Sequence, residues 1–325
     1  VAVKSAKELY RDFSVQEESI PIFSRAWWLD ATAGPENWDV ALVVSGGQIK
    51  ASMPYMMRRR FGLRVLSQPA LTQTLGPWLR PLKESAGPAK KLSQDQELMD
   101  ELIAQLPRFD YFNQNWHYSL TNWLPFSWRG FQQTTCYTYV INDLRDMGKV
   151  WAGFHNNVRR NCKTATERYR ITIREDLPLN DYLALNRMTF QRQGMEVPYP
   201  DDYVRRLDAA CEKQNCRKTY IAVDPQGRQH AGCYVVWDSN SAYGLMNGSD
   251  PALRGSGALS LCFWHAIQDV ARVTRKFDFE GSMLKPVEHF VRRFGAIQTP
   301  YFNISKTHSR LLRARHALLA TVRDR

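Results

Sequence analysis

The chain has 325 residues, 44% hydrophobic and 23% charged, long enough for two globular domains with separate cores and too apolar for a disordered chain. Its apolar runs fall far short of the roughly 20 residues that a membrane-spanning helix needs, and the N-terminal residues form no apolar signal core, so a cytoplasmic protein is expected. Six cysteines, of which only Cys211 and Cys216 are close, suggest neither a disulfide framework nor a metal site, while 44 basic residues against 32 acidic, a net charge of +12, favour polyanionic company such as nucleic acid, an anionic lipid surface or a phosphate-bearing substrate.

After a short helical start, residues 38–44 and 48–53 read as two strands joined by the Gly46-Gly47 turn. A basic, aromatic and proline-punctuated stretch covers 56–81. Residues 83–93, rich in Lys, Ala, Gly and Pro, read as an exposed loop before a helix over 94–106. Strands over 109–112 and 134–141 close this half, and a boundary at 146–150 divides the chain into domains of 1–148 and 149–325.

The second half opens with a helix over 150–169, a strand at 171–173, and helices over 179–193 and 200–214. Three antiparallel strands follow, at 219–223, 230–237 and 242–246, then a helix over 259–273 and a strand beginning at Phe277. There Phe277 and Phe279 alternate with Asp278 and Glu280, which places acids on one side of a half-buried strand, and Gly281 permits a sharp exit. Ser282 is the expected cap of a last helix through Glu288 to Phe294, with Val287, Phe290, Val291 and Phe294 at helical spacing and Gly295 closing it. Strand tips of this kind are where α/β enzymes place their chemistry.

Two stretches carry a family resemblance. Asp278-Phe279-Glu280-Gly281-Ser282, followed by an acid, an aromatic and Arg292-Arg293-Phe294-Gly295, resembles the closing segment of the Fem-like branch of the GNAT acyltransferase superfamily, which includes peptidoglycan bridge-forming aminoacyltransferases. Residues 154–165, with the strand at 170–174, resemble the segment that opens the second GNAT domain there. The resemblance implies an α/β (α+β) fold of two tandem GNAT-like domains, with mixed, mostly antiparallel sheets flanked by helices. The first domain is expected to be a degenerate copy and the second the catalytic one. One departure stands out: many Fem-like transferases carry a phenylalanine-lysine pair in the last helix, whereas Phe290 is followed here by Val291. Arg292 and Arg293 are not equivalent replacements, because a helix turns about 100° per residue.

The resemblance also implies that the loop 247–258 binds a coenzyme A pyrophosphate, on backbone N–H groups at a helix N-terminus. The family pattern is Arg or Gln, two residues, Gly, one residue, Gly or Ala. This chain has Arg254 and Gly257, but Leu259 in the last position. Arg254, Gly255, Ser256, Gly257 and Ala258, with Arg292 and Arg293, are therefore the expected donor-binding residues. Partial survival of the loop favours acyl-CoA as co-substrate, while the net charge and the family favour an aminoacyl-tRNA. No tightly bound cofactor and no metal are expected.

Either donor implies attack of a neutral amine on an activated carbonyl, which needs a base, donors for the oxyanion and a proton for the leaving group. Glu280, Asp278 and Glu288 are the acid candidates, and Tyr243 and Tyr301 are candidate proton donors. His155, Asn157, Arg159 and Arg160 lie on a helical stretch that is polar on every face. With Lys285, Tyr301 and Lys306 they are the expected acceptor-binding residues, for an amine on an amino sugar peptide or a small metabolite. Trp27, Trp28, Trp116, Trp123 and Trp128 fit core packing better than an acceptor groove. The arginine clusters at 58–60, 159–160 and 292–293, with Arg310, Arg313 and Arg315, leave open peripheral membrane contact and a different class of protein, a non-catalytic RNA-binding module. Against the latter, the basic residues do not alternate with aromatics as a single-strand platform requires.

Overall fold

In a computed structural model, which describes residues 4–82, 87–281 and 283–309, the chain divides into two units, Val1–Cys136 with Tyr301–Arg325, and Tyr137–Pro300. The first unit opens with a capping box: the Ser5 hydroxyl accepts the Glu8 N–H and the Glu8 carboxylate accepts the Ser5 N–H, which starts helix α1 (Ala6–Gln16). Helix α2 (Ala26–Thr32) follows. Gly46 and Gly47, both at positive φ, turn strand β1 (Trp38–Ser45) onto β2 (Gln48–Arg60). Strand β2 runs well past the expected 53 because it has a further antiparallel partner, β3 (Leu63–Ser67), around the turn Phe61-Gly62. Much of the stretch 56–81 is therefore sheet, and β4 (Trp78–Leu79) also pairs with β2.

Helix α3 (Pro88–Gln105) begins six residues before the expected 94, because Pro88 occupies its first turn, where a missing N–H costs nothing. Residues 83–86 of the expected loop lie outside the described residues. Strand β5 (Tyr111–Asn115) starts two residues late, since Asp110 is taken up by a cap: its carboxylate accepts the Arg64 N–H at 2.8 Å. Strand β5 pairs parallel with β3, and antiparallel with the chain's last strand, β12 (Ile297–Thr307), over Asn303 to Thr307. Helix α4 (Leu124–Trp128) completes this unit. Trp28 and Trp116 are fully buried, Trp116 against Phe126, whereas Trp128 is exposed, so the aromatic enrichment is mostly core.

The second unit takes the end of β6 (Gln132–Ile141). The expected helix over 150–169 is three pieces: α5 (Met147–Gly153), α6 (Asn156–Lys163) and a π-helical turn Thr164–Arg168. The break falls where His155 adopts an extended backbone and its Nδ1 accepts the Asn157 N–H, starting a new helix. Strand β7 (Thr172–Arg174) and helices α7 (Leu179–Arg192) and α8 (Asp201–Lys213) follow. The meander of β8 (Arg217–Val223), β9 (Gln229–Trp237) and β10 (Ala242–Ser249) is antiparallel as expected. Helix α9 (Ala258–Val270) leads to β11 (Phe277–Asp278), which pairs parallel with β10 and antiparallel with β6. The sheet of this unit thus runs β6-β11-β10-β9-β8-β7.

Helix α10 (Lys285–Val291) carries Pro286 in its first turn and passes through a 3-10 turn to Gly295, left-handed at φ 67°. The Ser282 cap expected for it lies outside the described residues, as do Arg310, Arg313 and Arg315. Phe154, Phe263, Phe277, Phe279 and Phe294 form an aromatic core beneath α9 and α10.

Candidate functional site

Strand β11 is internal to its sheet, and its two residues, which face opposite sides, are both buried, so the expectation of a half-buried strand with acids on an open side does not hold. Asp278 is only 3% exposed. Its carboxylate accepts the Thr138 hydroxyl, and its Oδ1 accepts the Glu280 N–H at 2.8 Å. Burial pushes the Asp278 carboxyl up to about 6, against the lowering effect of those two bonds. Glu280 is partly exposed as a residue, but its Oε1 is sealed from solvent. Burial first, and the neighbouring Asp278 second, hold the Glu280 carboxyl well above the usual range. The two carboxyls interact as a pair in which Asp278 has the better hydrogen-bonded anion and Glu280 keeps its proton longer.

The backbone that presents Glu280 is itself unusual. Glu280 has φ 56° and Gly281 φ 42°, two consecutive left-handed residues that swing the chain sharply away from β11. Strand β10 parts from β11 at the same level: their register pairs Ala242 with Phe277 and Tyr243 with Asp278 and then stops. Immediately beyond, Gly244 and Leu245 of β10 stand opposite the single residue Val235 of β9, a β-bulge. A parallel pair that separates next to a bulge, with a buried carboxyl pair at the point of separation, is the most chemically equipped place in this unit.

Helix α7 covers this place. Gly248 of β10 allows it, since a Cβ there would lie 2.5 Å from the Asn186 N. Asn186, buried on α7, donates to the Asn247 carbonyl at 3.0 Å, and its Oδ1 accepts the Tyr199 hydroxyl at 3.4 Å. Burial raises the Tyr199 phenol to about 12, offset in part by Asn186 and reinforced by the nearby Glu280 carboxylate. Tyr199 is therefore a neutral hydroxyl held by Asn186, within electrostatic reach of Glu280. At the other end of α7, burial and then the Arg254 guanidinium both lower the Arg192 pKa. Among the described residues neither arginine has an ion pair with a carboxylate, so the two form an unneutralised cationic pair beside the loop 251–256. Asn186 and Arg192 are six residues apart on α7, about 9 Å along its axis.

The remaining expected residues are distributed as follows. Tyr243, 2% exposed, is the register partner of Asp278. Glu288 lies on α10, where its Oε1 accepts the Tyr139 hydroxyl at 2.7 Å, with Arg292 at 3.6 Å and His289 at 3.8 Å. Gln298 donates to Tyr139 at 2.8 Å. In the donor loop Arg254 and Gly255 are exposed, while Ser256 and Ala258 are buried. Gly257 is needed for packing, because a Cβ there would sit 2.5 Å from the Asn161 carbonyl of α6. Arg293 is exposed and its carbonyl accepts the His155 N–H at 2.8 Å.

Arg159 donates to the Ala152 carbonyl at 2.8 Å and so caps the end of α5, and Arg160 donates to Asn157 at 3.2 Å. Helix α6 is not polar all round, since Val158 and Cys162 are buried beneath it. Lys285 is exposed at the start of α10. Tyr301 and Lys306 belong to the other unit, where the Lys306 ammonium donates to the Arg129 carbonyl at 2.5 Å and lies 4.9 Å from the centre of the Phe131 ring. An open groove of about 440 Å³ bordered by Leu185, Met188, Arg228, Asp250 and Leu253 touches the loop but includes neither carboxyl. Residues 138, 139, 186, 192 and 199 were not among the expected site residues. Tyr199 alone carried a signal, an aromatic between Pro198 and Pro200 in a linker too rigid to be an ordinary loop.

A pH experiment tests the environment of Asp278. Its folded pKa, about 6, stands above the ordinary 3.8, so the native state retains a proton that the unfolded state releases. This group's contribution is fully stabilising below 3.8 and is lost as the pH rises through about 6. Asp278→Asn keeps an oxygen for Thr138 and Glu280 but does not ionise. The difference in Tm between Asp278→Asn and the wild type is expected to shift in favour of the variant from pH 4 to pH 7. A difference that stays flat with pH would refute the assigned environment.

No curated protein sequence matches the chain. Residues 152–289 match the family described as an acetyltransferase (GNAT) domain. Among solved structures, FemX is similar with a TM-score of 0.66 at 10% identity, over 93% of this chain and 96% of FemX. The C-terminal domain of a putative lysylphosphatidylglycerol synthetase from Agrobacterium fabrum is similar with a TM-score of 0.53 at 14% identity, over 97% and 96%. A tandem GNAT protein from the clavulanic acid biosynthesis pathway gives 0.51 at 12% identity, over 93% and 94%. Residues 152–289 thus match the GNAT acetyltransferase domain family, and the likeness to these solved structures gives the chain the fold that FemX and the tandem GNAT protein share.

Proposed function

We propose that the unit Tyr137–Pro300 is an N-acyltransferase that moves an acyl group from an acyl-CoA thioester to an amine. The observation that carries this reading is the coupled carboxyl pair Asp278 and Glu280 at the point where β10 and β11 part. In the proposed reaction Glu280, once ionised, takes the ammonium proton of the acceptor, and its raised pKa makes it a stronger base than an ordinary carboxylate. The free amine attacks the thioester carbonyl. The peptide N–H groups of the bulge at Gly244 and Leu245 are the nearest candidates to receive the oxyanion. Tyr199, kept neutral and within electrostatic reach of Glu280, is the candidate proton source for the thiolate that leaves as the C–S bond breaks, and it regains its proton from the attacking nitrogen, which sheds its second one as the amide forms.

The donor's anionic portion is assigned to Arg254 and Arg192. Two exposed guanidinium groups, one close enough to lower the other's basicity, are stabilised by a phosphate between them. The roughly 9 Å along α7 that separates this pair from the Asn186 level suits an extended donor with phosphate at one end and reacting carbonyl at the other. A second reading, transfer from an aminoacyl-tRNA to a peptidoglycan precursor or small metabolite, is favoured by the net charge of +12 and by the likeness to FemX.

Thermal shift of the purified protein against coenzyme A, acetyl-CoA, a long-chain acyl-CoA and bulk charged tRNA separates the two. Stabilisation by a thioester, lost in Arg254→Ala, is the expected result. A roughly tenfold rise in the apparent KM for the thioester should accompany that substitution, from loss of one charge-assisted contact. Stabilisation by charged tRNA alone would move the assignment to aminoacyl transfer.

A further inference from the structure

The hairpin of β2 and β3 in the first unit ends in a two-residue turn, with Arg60 opposite Leu63 in register and Phe61 and Gly62 between them. Both turn residues have positive φ, 51° and 76°. A two-residue hairpin turn of this hand requires that, and Asn-Gly is the usual way to supply it. Here the first position is a phenylalanine, 86% exposed. A bulky side chain is disfavoured in the left-handed region, and exposure to water gives the ring no burial in return. Neither local conformation nor packing of the fold accounts for an aromatic at this position.

The flanks are as unusual as the tip. Arg58, Arg59, Arg60 and Arg64 are all exposed. Arg59 and Arg64 are directly opposite across the strands, a like-charge pairing that weakens a hairpin standing alone. Among the described residues none of the four has an ion pair with a carboxylate. Asp110, the acid at the base of the hairpin, accepts the backbone N–H of Arg64. The Arg60 guanidinium lies 5.5 Å from the centre of the Phe61 ring, and Met57 beside it is 41% exposed.

We propose that this hairpin tip is a docking finger for an anionic bilayer, in which Phe61 enters the boundary between headgroups and acyl chains while Arg58, Arg59, Arg60 and Arg64 meet lipid phosphates. An exposed aromatic tip surrounded by arginines is suited to such an interface, where one end of the contact is apolar and its rim is negative. Single-stranded nucleic acid is the poorer match. It requires successive rings for successive bases along a basic groove, whereas this tip offers one ring on a convex turn. The net charge of +12 adds attraction at longer range. This proposal concerns the first unit and does not depend on the acyl-transfer reading of the second.

The test is co-sedimentation of the full chain with vesicles of phosphatidylglycerol and phosphatidylcholine in equal parts, and with vesicles of phosphatidylcholine alone, at low and at high salt. Binding to the anionic vesicles only, released by high salt, is expected. Replacing Arg58, Arg59 and Arg60 together by glutamine should weaken it on the order of a hundredfold, at roughly fivefold per arginine. Phe61→Asn is the sharper variant, because it restores the residue that the turn prefers. It should raise Tm by roughly 2–4 °C while weakening vesicle binding about tenfold, so that lost binding cannot be ascribed to lost folding. Phe61→Trp should retain binding. Vesicle binding by Phe61→Asn as tight as that of the wild type would overturn the proposal. So would a result in which the hairpin variants lose affinity for a single-stranded RNA oligonucleotide but not for vesicles, which would assign the tip to nucleic acid.

Discussion

Glu280→Gln is expected to lower kcat at least about a hundredfold while leaving Tm within a few degrees of the wild type. The expectation of an intact fold comes from the same burial that suits the residue to its role. Burial and the neighbouring Asp278 both favour the protonated form of Glu280, and a glutamine side chain has nearly the shape and polarity of a neutral carboxylic acid. What glutamine cannot do is accept the ammonium proton. The pH profile adds a second readout. The wild-type kcat/KM should rise with pH as the carboxyl pair ionises and then level off, whereas the residual activity of Glu280→Gln should lack that limb. Asp278→Asn should move the limb to lower pH, because it removes the neighbouring negative charge that helps to hold the Glu280 proton. Turnover unchanged in Glu280→Gln would remove this carboxyl from the mechanism.

Gly281→Ala should be the most damaging small substitution on the structural side. A Cβ at that position would lie 2.2 Å from the Tyr137 carbonyl oxygen and 2.4 Å from the Thr138 Cα. These are backbone atoms of β6, which cannot rotate aside as a side chain would. The residue also has φ 42°, where an L side chain adds conformational strain. Together the two effects should cost roughly 2–4 kcal/mol, read as a lower midpoint in urea unfolding. Because Gly281 also sets the exit path that presents Glu280, the surviving folded protein should show depressed kcat at temperatures well below Tm. A variant with an unchanged midpoint would mean that the exit from β11 is not clamped against β6.

How legible the fold was in the amino-acid sequence depended on whether each signal was local. The Gly46-Gly47 turn, the meander of β8 to β10 and helices α7 and α8 follow from alternation, turn residues and helical spacing, and the structure has the meander and the helices within a residue or two of their expected bounds, except that β10 runs three residues past 246. Strand β2 was underestimated because Phe61-Gly62 is a turn without the usual turn residue at its first position. The helix over 150–169 was read as continuous because nothing in its spacing reports that the His155 imidazole caps a new start. The carboxyls of the site were visible, since Asp278 and Glu280 sit at a strand tip before a glycine. Their burial was not, because it depends on β6 and β10 lying on either side of β11, and the pairing with β6 is set across more than a hundred residues of chain. Arg192 and Tyr199 were missed for a similar reason. Each acquires its meaning from a neighbour, Arg254 or Glu280, that only the folded chain supplies.

The pairing of β5 with β12 bears on how this protein is made. Asn303 aligns with Asn115, and its side chain bonds both Asn113 and Asn115, so the edge of the N-terminal unit is completed by residues that leave the ribosome almost two hundred positions later. Until then β5 has β3 on one side and an open ladder of peptide groups on the other, an edge of the kind that invites pairing with the wrong strand. The N-terminal unit therefore cannot mature as an independent first half during synthesis, and a nascent chain stalled or cleaved before residue 301 would carry an adhesive edge. Its final assembly waits for the synthesis of β12, which makes the yield of native protein sensitive to elongation and to chaperone cover rather than to the stability of either unit alone.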